Sequence, residues 1–421
     1  MAPSVLLSSA PIPSHQLANG QASTRPSPPI LDRKLFPDGL KTSGQHPAMP
    51  QAILPYSSFP RSIVGPNVWT AEEYRADPGR WTHQFSPEEV AELSEVANNF
   101  IASGRPLTGM AKEYFPLSTL APYFSEVKKT LLDGRGFILF KGLPVGQWGL
   151  QKSAVAYMGL GTYFGYFVSQ NRHGHVLGHV KDLREDPSQI HTVRIYRTNA
   201  RQYFHTDGAD LVGLLCIARS FEGGESDIAS TQNIFNTLQL EHPDVAETLC
   251  EPIWYFDRKG EQSQGQEPWY RSSVFYMEND PNPLTRRVYS RFDPNNVKSL
   301  ERFSSGPNAK IPPLSESQLY AIKIFEETAK RLSLHMILQP GDIQLLANTH
   351  VFHARTAYKD WPTGSIDENG QERIQRHLMR LWLATPESEG GWRLAFPDSK
   401  EKKRGGIQVD DNRPTCPLDA E

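Results

Sequence analysis

Cysteine is nearly missing from this chain. Its 421 residues include three, Cys216, Cys250 and Cys416, far apart and odd in number. That excludes a disulfide framework and makes a reducing, cytoplasmic setting the default. Long apolar runs are missing too, and the stretch from Val5 to Leu7 is far too short to span a bilayer. The start lacks the charged and then apolar pattern of a secretory signal. No acidic residue precedes Asp32 while Ser is plentiful, which leaves an organelle-targeted N-terminus as the alternative. A strong charge of either sign is also absent. The net charge of −3 offers no basis for binding nucleic acid or an anionic membrane. No internal repeat is found. Self-association is left open.

What is present fits a globular protein, with 38% apolar and 22% charged residues. Residues 1–45, rich in Pro, Ser, Ala and Gln, read as a mobile arm. Residues 46–400 read as a single domain. After Pro397 the chain is basic and then acidic without periodicity, so 401–421 reads as a tail. Ser86-Pro87-Glu88-Glu89 is a capping box that opens a helix carrying Val90, Leu93, Ala97 and Phe100. Further helices are expected near Pro122 to Leu132, over Gln151 to Tyr163, over Asn233 to Cys250 and after the cap Ser315-x-x-Gln318. Strands are expected at Phe137 to Phe140, Ile190 to Thr198, Leu211 to Ala218 and Leu378 to Ala384. Glu251 to Phe256 and Ser273 to Met277 read as paired strands inside an insertion over 251–292. Leu334 to Gln339 and Ile343 to Ala347 read as a hairpin around Pro340-Gly341-Asp342. The polar stretch from Tyr166 to Ile190, with His173, His175 and His179, reads as a solvated lid. Its Ser169, Gln170 and Asn171 are candidate substrate contacts.

The chemistry centres on Tyr203-Phe204-His205-Thr206-Asp207, with the apolar run Leu211 to Ala218 behind it. An imidazole and a carboxylate two residues apart share one face of an extended strand and can hold one metal together. His-x-Asp alone is a weak signal. A second match, His242-Pro243-Asp244, sits at a Pro-marked break and reads as a turn and cap. Two ligands leave a site incomplete. The third candidate is His353, in His353-Ala354-Arg355, with His350 as its rival. Two His and one carboxylate form the facial triad of non-haem Fe(II) oxygenases. Downstream, Arg376 and Arg380 are four residues apart on a predicted strand and suit carboxylate binding.

Taken together these segments resemble the taurine dioxygenase-like (TauD/TfdA) family of Fe(II)/2-oxoglutarate oxygenases. The matching pieces are Gly136 to Leu143, Phe164-Gly165, Phe204 to Asp207, Gly223-Gly224-Glu225-Ser226, the His353 segment and the Arg376/Arg380 segment. They follow the family's order over about residues 136–385. The resemblance implies an α+β chain with a double-stranded β-helix (jelly-roll) core and flanking helices. It implies Fe(II) on His205, Asp207 and His353. It implies 2-oxoglutarate on Ser226 and Arg376, with Thr231 as the alternative to Ser226, and the prime substrate near Arg380. The interval from His353 to Arg376 is longer than the family's, with Asp360 to Gln375 as an insertion. The activity implied is oxidation of an unactivated C–H bond of a small anionic molecule, using O2 and releasing succinate and CO2. Hydroxylation, desaturation and ring closure all remain open, as do two alternatives: a peptide hydroxylase and a non-catalytic metal-binding jelly-roll.

Overall fold

A computed structural model describes residues 53–420 apart from 279, 281, 283, 285, 369, 395–404, 408 and 411. The expected arm at 1–45 and the junction at 400 lie outside the described residues. The strands that carry the site are β1 (Thr82–Gln84), β2 (Phe137–Lys141), β3 (Tyr166–Phe167), β4 (Leu177–Lys181) and β5 (Gln202–His205). They continue as β6 (Leu211–Ala218), β7 (Ser226–Ser230), β8 (Leu334–Met336), β9 (Ile343–Ala347), β10 (Val351–Arg355) and β11 (His377–Ala384). The larger sheet runs β1-β2-β9-β6-β11-β3, with β4 also paired to β11, and the smaller runs β8-β7-β10-β5. Apart from the parallel pair β1 and β2, these pairings are antiparallel.

Side-chain alternation sorts the layers. Along β11, Met379, Leu381 and Leu383 join the core beneath the helices Pro87–Ala102, Leu120–Asp133 and Val145–Gly161. Leu378, Trp382 and Ala384 join a second core with Val212 and Leu346 of the larger sheet and Ile228, Leu334 and Val351 of the smaller. Phe204, Ala229, Phe352 and Ala354 turn the other way, toward helices Thr231–Glu241, Pro243–Cys250 and Glu316–Arg331. The order is therefore helices, large sheet, small sheet, helices. The central strands are buried on both faces, which is why β9, β10 and β11 read as unbroken buried runs. Both capping boxes form, at Ser86 with Glu89 and at Ser315 with Gln318. Among the described residues no helix is long and apolar enough to cross a membrane.

Several expectations are corrected. Leu334–Met336 and Ile343–Ala347 are not a hairpin, because β8 pairs with β7 in one sheet and β9 with β2 and β6 in the other. The turn at Gly341 carries the chain from sheet to sheet. Trp254–Asp257 pairs with Trp269–Ser272, and Phe275–Met277 pairs with Val288–Ser290, so the insertion holds two hairpins. The expected helix over 233–250 breaks at His242, where Pro243 opens a second one. Residues 190–198 form turns and a short 3-10 segment at Ile195–Arg197 in place of a strand. The expected lid contains two strands, β3 and β4, which pair along β11, and its Gln170 is buried. In β4, Gly178 and His179 hide the strand from a pattern search. The described part of the expected tail is seated too. Gly406 N–H donates to the Gly208 carbonyl (2.7 Å), Ile407 N–H to Ser169 (2.8 Å) and Val176 N–H to Thr415 (2.9 Å).

The turn between the sheets generates a stability prediction. Gly341 has φ +89°, and a Cβ there would overlap the Leu143 carbonyl oxygen. Gly341→Ala should cost at least about 2 kcal/mol in urea unfolding, from left-handed strain plus a backbone clash. A loss below about 0.5 kcal/mol would mean that the turn relaxes freely.

Candidate metal and cosubstrate site

The two sheets bring the distant candidates together. His205 ends β5, and His353 lies opposite it in register on β10. Their ring centroids are 4.1 Å apart. Asp207 falls beyond the end of β5, so the strand pleat alone does not place it. Its N–H donates to Asn348 Oδ1 at 3.0 Å, and Asn348 Nδ2 holds the Ala209 carbonyl at 2.8 Å. Those bonds swing the carboxylate back over the imidazoles. Asp207 Oδ2 lies 3.6 Å from His353 Nε2, and Oδ1 lies 4.0 Å from His205 Nε2. All three side chains are buried.

Local bonding sets the ligand atoms. His205 Nδ1 is 2.9 Å from the Tyr203 carbonyl, where only a protonated nitrogen can donate. That leaves Nε2 with the lone pair, and the Gln202 amide donates to it at 2.8 Å. Fixing a ring through its outer nitrogen is how metal-binding histidines are oriented. Burial, reinforced by the neighbouring His353, lowers the His205 pKa and keeps the ring neutral. Burial alone would raise the Asp207 pKa, but the Arg380 guanidinium and His353 hold it well below the usual carboxylate range. A neutral imidazole and an ionised carboxylate are the forms that bind metal.

Asp207 Oδ2 and His353 Nδ1 are buried without a hydrogen-bond partner. An unmet buried polar atom costs about 1–3 kcal/mol, so a group that satisfies it is favoured. Two imidazoles and one carboxylate fit a divalent transition ion with positions to spare, as in non-haem iron sites. His350 is no rival in this arrangement. It is fully buried against Trp392, with ring centroids 4.7 Å apart, and Thr349 Oγ1 bonds its Nδ1 at 2.7 Å. A second group, His179, His377 and Asp419, also has ligand atoms within 4.8 Å. There His179 uses both nitrogens, on His377 (2.8 Å) and the Pro417 carbonyl (3.0 Å), while Lys181 holds Asp419 at 3.0 Å. That group is satisfied without an ion.

The larger sheet contributes arginines. Arg380 shares the inner face of β11 with Leu378 and Trp382. Its Nε donates to Gln170 Oε1 at 2.8 Å, its Nη1 reaches Asp207 Oδ1 at 3.4 Å, and its plane lies against Tyr196 (4.5 Å). Gln170 Nε2 returns a bond to the Arg380 carbonyl at 2.8 Å. Gln170 is thus a clamp on Arg380. Asn171 Oδ1 accepts from the N–H groups of His173 (2.9 Å) and His175 (3.3 Å), and so shapes a turn.

Arg376 lies four residues before Arg380, at the end of β11. The Asp360–Gln375 interval folds back on itself, with Arg373 N–H on the Ser365 carbonyl (2.7 Å), and the β11 pairing with β6 shifts once, between His377 and Leu378, before running evenly to Leu383. Arg376 Nη2 donates to the Gly224 carbonyl at 3.1 Å, two residues from Ser226. Sequence reasoning quoted Arg355 but gave it no role. It shares a face with His353, pairs in register with Ser226, and lies against the same Tyr358 ring as Arg376, at 4.8 and 4.9 Å. Burial, with Arg376 close by, lowers its pKa. Arg355 Nε, Arg355 Nη1 and Arg376 Nη1 are buried without partners. Two guanidinium groups short of acceptors suit a carboxylate. Ser226 is at this end of β7, bonded to Gln344 across the gap between the sheets (3.0 Å). Thr231 follows the opposite end, about 16 Å away along the strand, and its N–H is bonded to the His350 carbonyl (2.9 Å). The two cannot serve one carboxylate.

A cavity of about 470 Å³ opens over His205 and Asp207. Gln170, Tyr196, Arg380 and Trp382 line one side, the insertion lines another through Phe256 to Glu261 and Tyr270, and Gly405 to Ile407 close part of the rim. The placement of the two histidines yields a test. His350→Ala should destabilise the fold by about 1–3 kcal/mol in urea unfolding and leave Fe(II) affinity unchanged. His353→Ala should weaken Fe(II) binding, measured by anaerobic titration, and change stability less. The reverse pattern would move the site to His350.

Comparison with known proteins agrees with this geometry. The family model described as taurine catabolism dioxygenase TauD, TfdA family matches residues 103–382. FR-33289 synthase of Streptomyces rubellomurinus is 29% identical over 352 residues, which is 83% of this chain and 96% of that protein. The taurine hydroxylase-like protein SAT17 of Stachybotrys chartarum is 27% identical over 340 residues, 79% of this chain and 82% of its own. Among solved structures, asparagine oxygenase in complex with Fe(II), 2S,3S-3-hydroxyasparagine and succinate aligns with a TM-score of 0.51. The sequences are 16% identical there, over 72% of this chain and 94% of that one. OrfP, a non-haem iron oxygenase in complex with Fe and alpha-ketoglutaric acid, also gives 0.51, at 14% identity and the same coverage. With its family match spanning well over half of its length, the chain belongs to the TauD, TfdA family and is an Fe(II)/2-oxoglutarate-dependent dioxygenase.

Proposed function

We propose that this enzyme oxidises an unactivated C–H bond of a small anionic molecule: an amino acid, another carboxylic acid or a sulfonate. Hydroxylation, desaturation and ring closure share the same first demand on the protein, which is to hold one C–H bond beside the metal. The buried convergence of His205, Asp207 and His353, with one oxygen and one nitrogen lacking partners, carries the reading. The two-sheet core is read as the double-stranded β-helix of the family, with the cavity at its mouth. In this reading His205, Asp207 and His353 hold Fe(II), and Ser226, Arg376 and Arg355 hold the distal carboxylate of 2-oxoglutarate. When bound, iron and 2-oxoglutarate supply the O2-dependent oxidising chemistry, with succinate and CO2 as coproducts.

The chain's own residues do the rest. The Tyr203 carbonyl fixes the His205 ring through Nδ1–H and leaves Nε2 for the metal. Arg380 keeps Asp207 ionised and, with Gln170, forms part of the wall facing the substrate. The burial of all these groups excludes water, which strengthens each electrostatic contact. Asparagine oxygenase, solved with a hydroxylated amino acid and succinate, shares the fold.

The test is succinate release on a panel of amino acids, other carboxylic acids and sulfonates, with Fe(II) and 2-oxoglutarate. His205→Ala, Asp207→Ala and His353→Ala should each weaken Fe(II) binding by more than about 100-fold and stop turnover, whereas His242→Ala should do neither. Arg376→Ala should raise the KM for 2-oxoglutarate by the equivalent of about 2–5 kcal/mol, the cost of breaking a buried charged pair. Arg355→Ala should act in the same direction and Thr231→Ala should not. Arg380→Ala should mainly affect the prime substrate. Intact iron binding in all three triad variants would defeat the assignment.

A further inference from the structure

Most ionic groups on the cavity wall are paired, Arg291 with Asp210 at 3.7 Å among them, and two cations are not. Arg194 is paired with Glu261 at 2.6 Å, and Arg380 is turned to Asp207 at 3.4 Å. Asp257 is held by Arg302 at 2.6 and 3.0 Å. Asp293 Oδ1 caps the N–H of Asn295 at 2.8 Å. Arg258 and Lys259 line the same cavity, and neither meets a carboxylate within ion-pair distance among the described residues. They are consecutive, in the loop of the Trp254–Asp257 and Trp269–Ser272 hairpin.

Both are held in place without an ion pair, although the Asp293 and Asp257 carboxylates lie near enough to Lys259 to favour its charge. The Arg258 guanidinium lies 5.1 Å from the Tyr270 ring centroid, and Tyr270 in turn stacks on Phe256 at 5.3 Å. Such stacking fixes the plane and leaves the edge N–H groups free to bind. Arg258 Nε is buried with no partner. Lys259 has φ +48°, in the left-handed region, held by its N–H on Asp257 Oδ1 at 2.7 Å. A side chain other than Gly is strained there by about 1 kcal/mol. The loop sets Lys259 on the wall of the cavity that holds His205 and Asp207.

We propose that Arg258 and Lys259 receive the oxyanionic end of the prime substrate. This rests on the function proposed above and shifts its charge recognition from Arg380 to the insertion. Arg380 gives its charge to Asp207, so a substrate anion placed there would compete with the metal-binding carboxylate. An anion on the insertion loop leaves that pair undisturbed. The substrate then spans the cavity, with its charged group on the hairpin and its reactive carbon toward His205 and Asp207. Carboxylate, sulfonate and phosphonate share the required chemistry: a compact group of equivalent oxygens accepting from two adjacent cations.

The experiment loads the full-length enzyme with Fe(II) and 2-oxoglutarate without oxygen, which fills the other anion site. It then titrates acetate, methanesulfonate and methylphosphonate by calorimetry. At least one should bind, and the ranking identifies the headgroup. Arg258→Gln and Lys259→Gly should each weaken that probe by about tenfold or more, the scale of one charged hydrogen bond. Lys259→Gly also relieves the left-handed strain, so a folding defect does not explain its effect. Lys323→Gln, which removes an exposed cation on the outer helix, should change nothing. Failure of all three probes to bind, or equal affinity in Arg258→Gln and Lys259→Gly, would overturn the proposal. Failure to take up Fe(II) and 2-oxoglutarate is seen before any probe is added and counts against the function reading alone.

Discussion

The structure depends on keeping one carboxylate ionised between two sheets. Asp207 is buried and charged, and a buried charge survives only when it is paired. Its partners come from both sides: His205 and His353 from the smaller sheet, Arg380 from the larger. Each is fixed by a further bond, to the Tyr203 carbonyl for His205 and to Gln170 for Arg380. The apolar core between the sheets sets the gap, and the Gln344–Ser226 bond crosses it. Take away either sheet and the charge loses half its support.

The same gap holds the complementary deficit. Near Asp207 there is a carboxylate oxygen without a donor. Near Tyr358 there are two guanidinium groups without enough acceptors. One place asks for a cation and the other for an anion, and both face inward from β10 and β11. Fe(II) and the distal carboxylate of 2-oxoglutarate meet these two demands in the proposed reading. Binding would then stabilise the fold as well as start the chemistry, because it removes desolvation costs already present.

How much of this was legible in the sequence divides along physical lines. Apolar runs and capping boxes are local, so β6, β11 and the helices after Ser86 and Ser315 could be placed closely. His205, Asp207 and His353 stood out because ligand chemistry restricts residue type. The pairing of strands is not local. Leu334–Met336 and Ile343–Ala347 look like a hairpin because a turn at Gly341 separates them, yet a sheet-to-sheet crossing has the same local signature. β4 was missed because its Gly178 and His179 are poor strand formers held by a neighbour's edge. Arg355 was within reach: two residues from His353 on a strand means the same face. The roles of Gln170 and Gln202 were not, since each is defined by a partner that the fold supplies.

The residues that escaped the pattern cluster on one side of the cavity. Of the proposed metal ligands, His205 and His353 belong to the smaller sheet, and Arg355 and Arg380 stand on β10 and β11, where alternation constrains every position. The opposite wall is built from the hairpin loop at 258–261, the turn at 291–293 and the seated segment Gly405 to Ile407. None of these has a period, and two of them are bonded to the neighbours of Asp207: Phe292 to Thr206 in both directions (2.8 and 3.0 Å) and Gly406 N–H to the Gly208 carbonyl (2.7 Å). Among the described residues the hairpin loop at 258–261 makes no such bond, so its charge and shape can vary without disturbing Asp207 or the guanidinium pair. Oxidising chemistry and substrate choice are thereby separated in space. The sheets carry a site whose charges must balance, while the loops carry Arg258 and Lys259, whose charges are left for the substrate to balance.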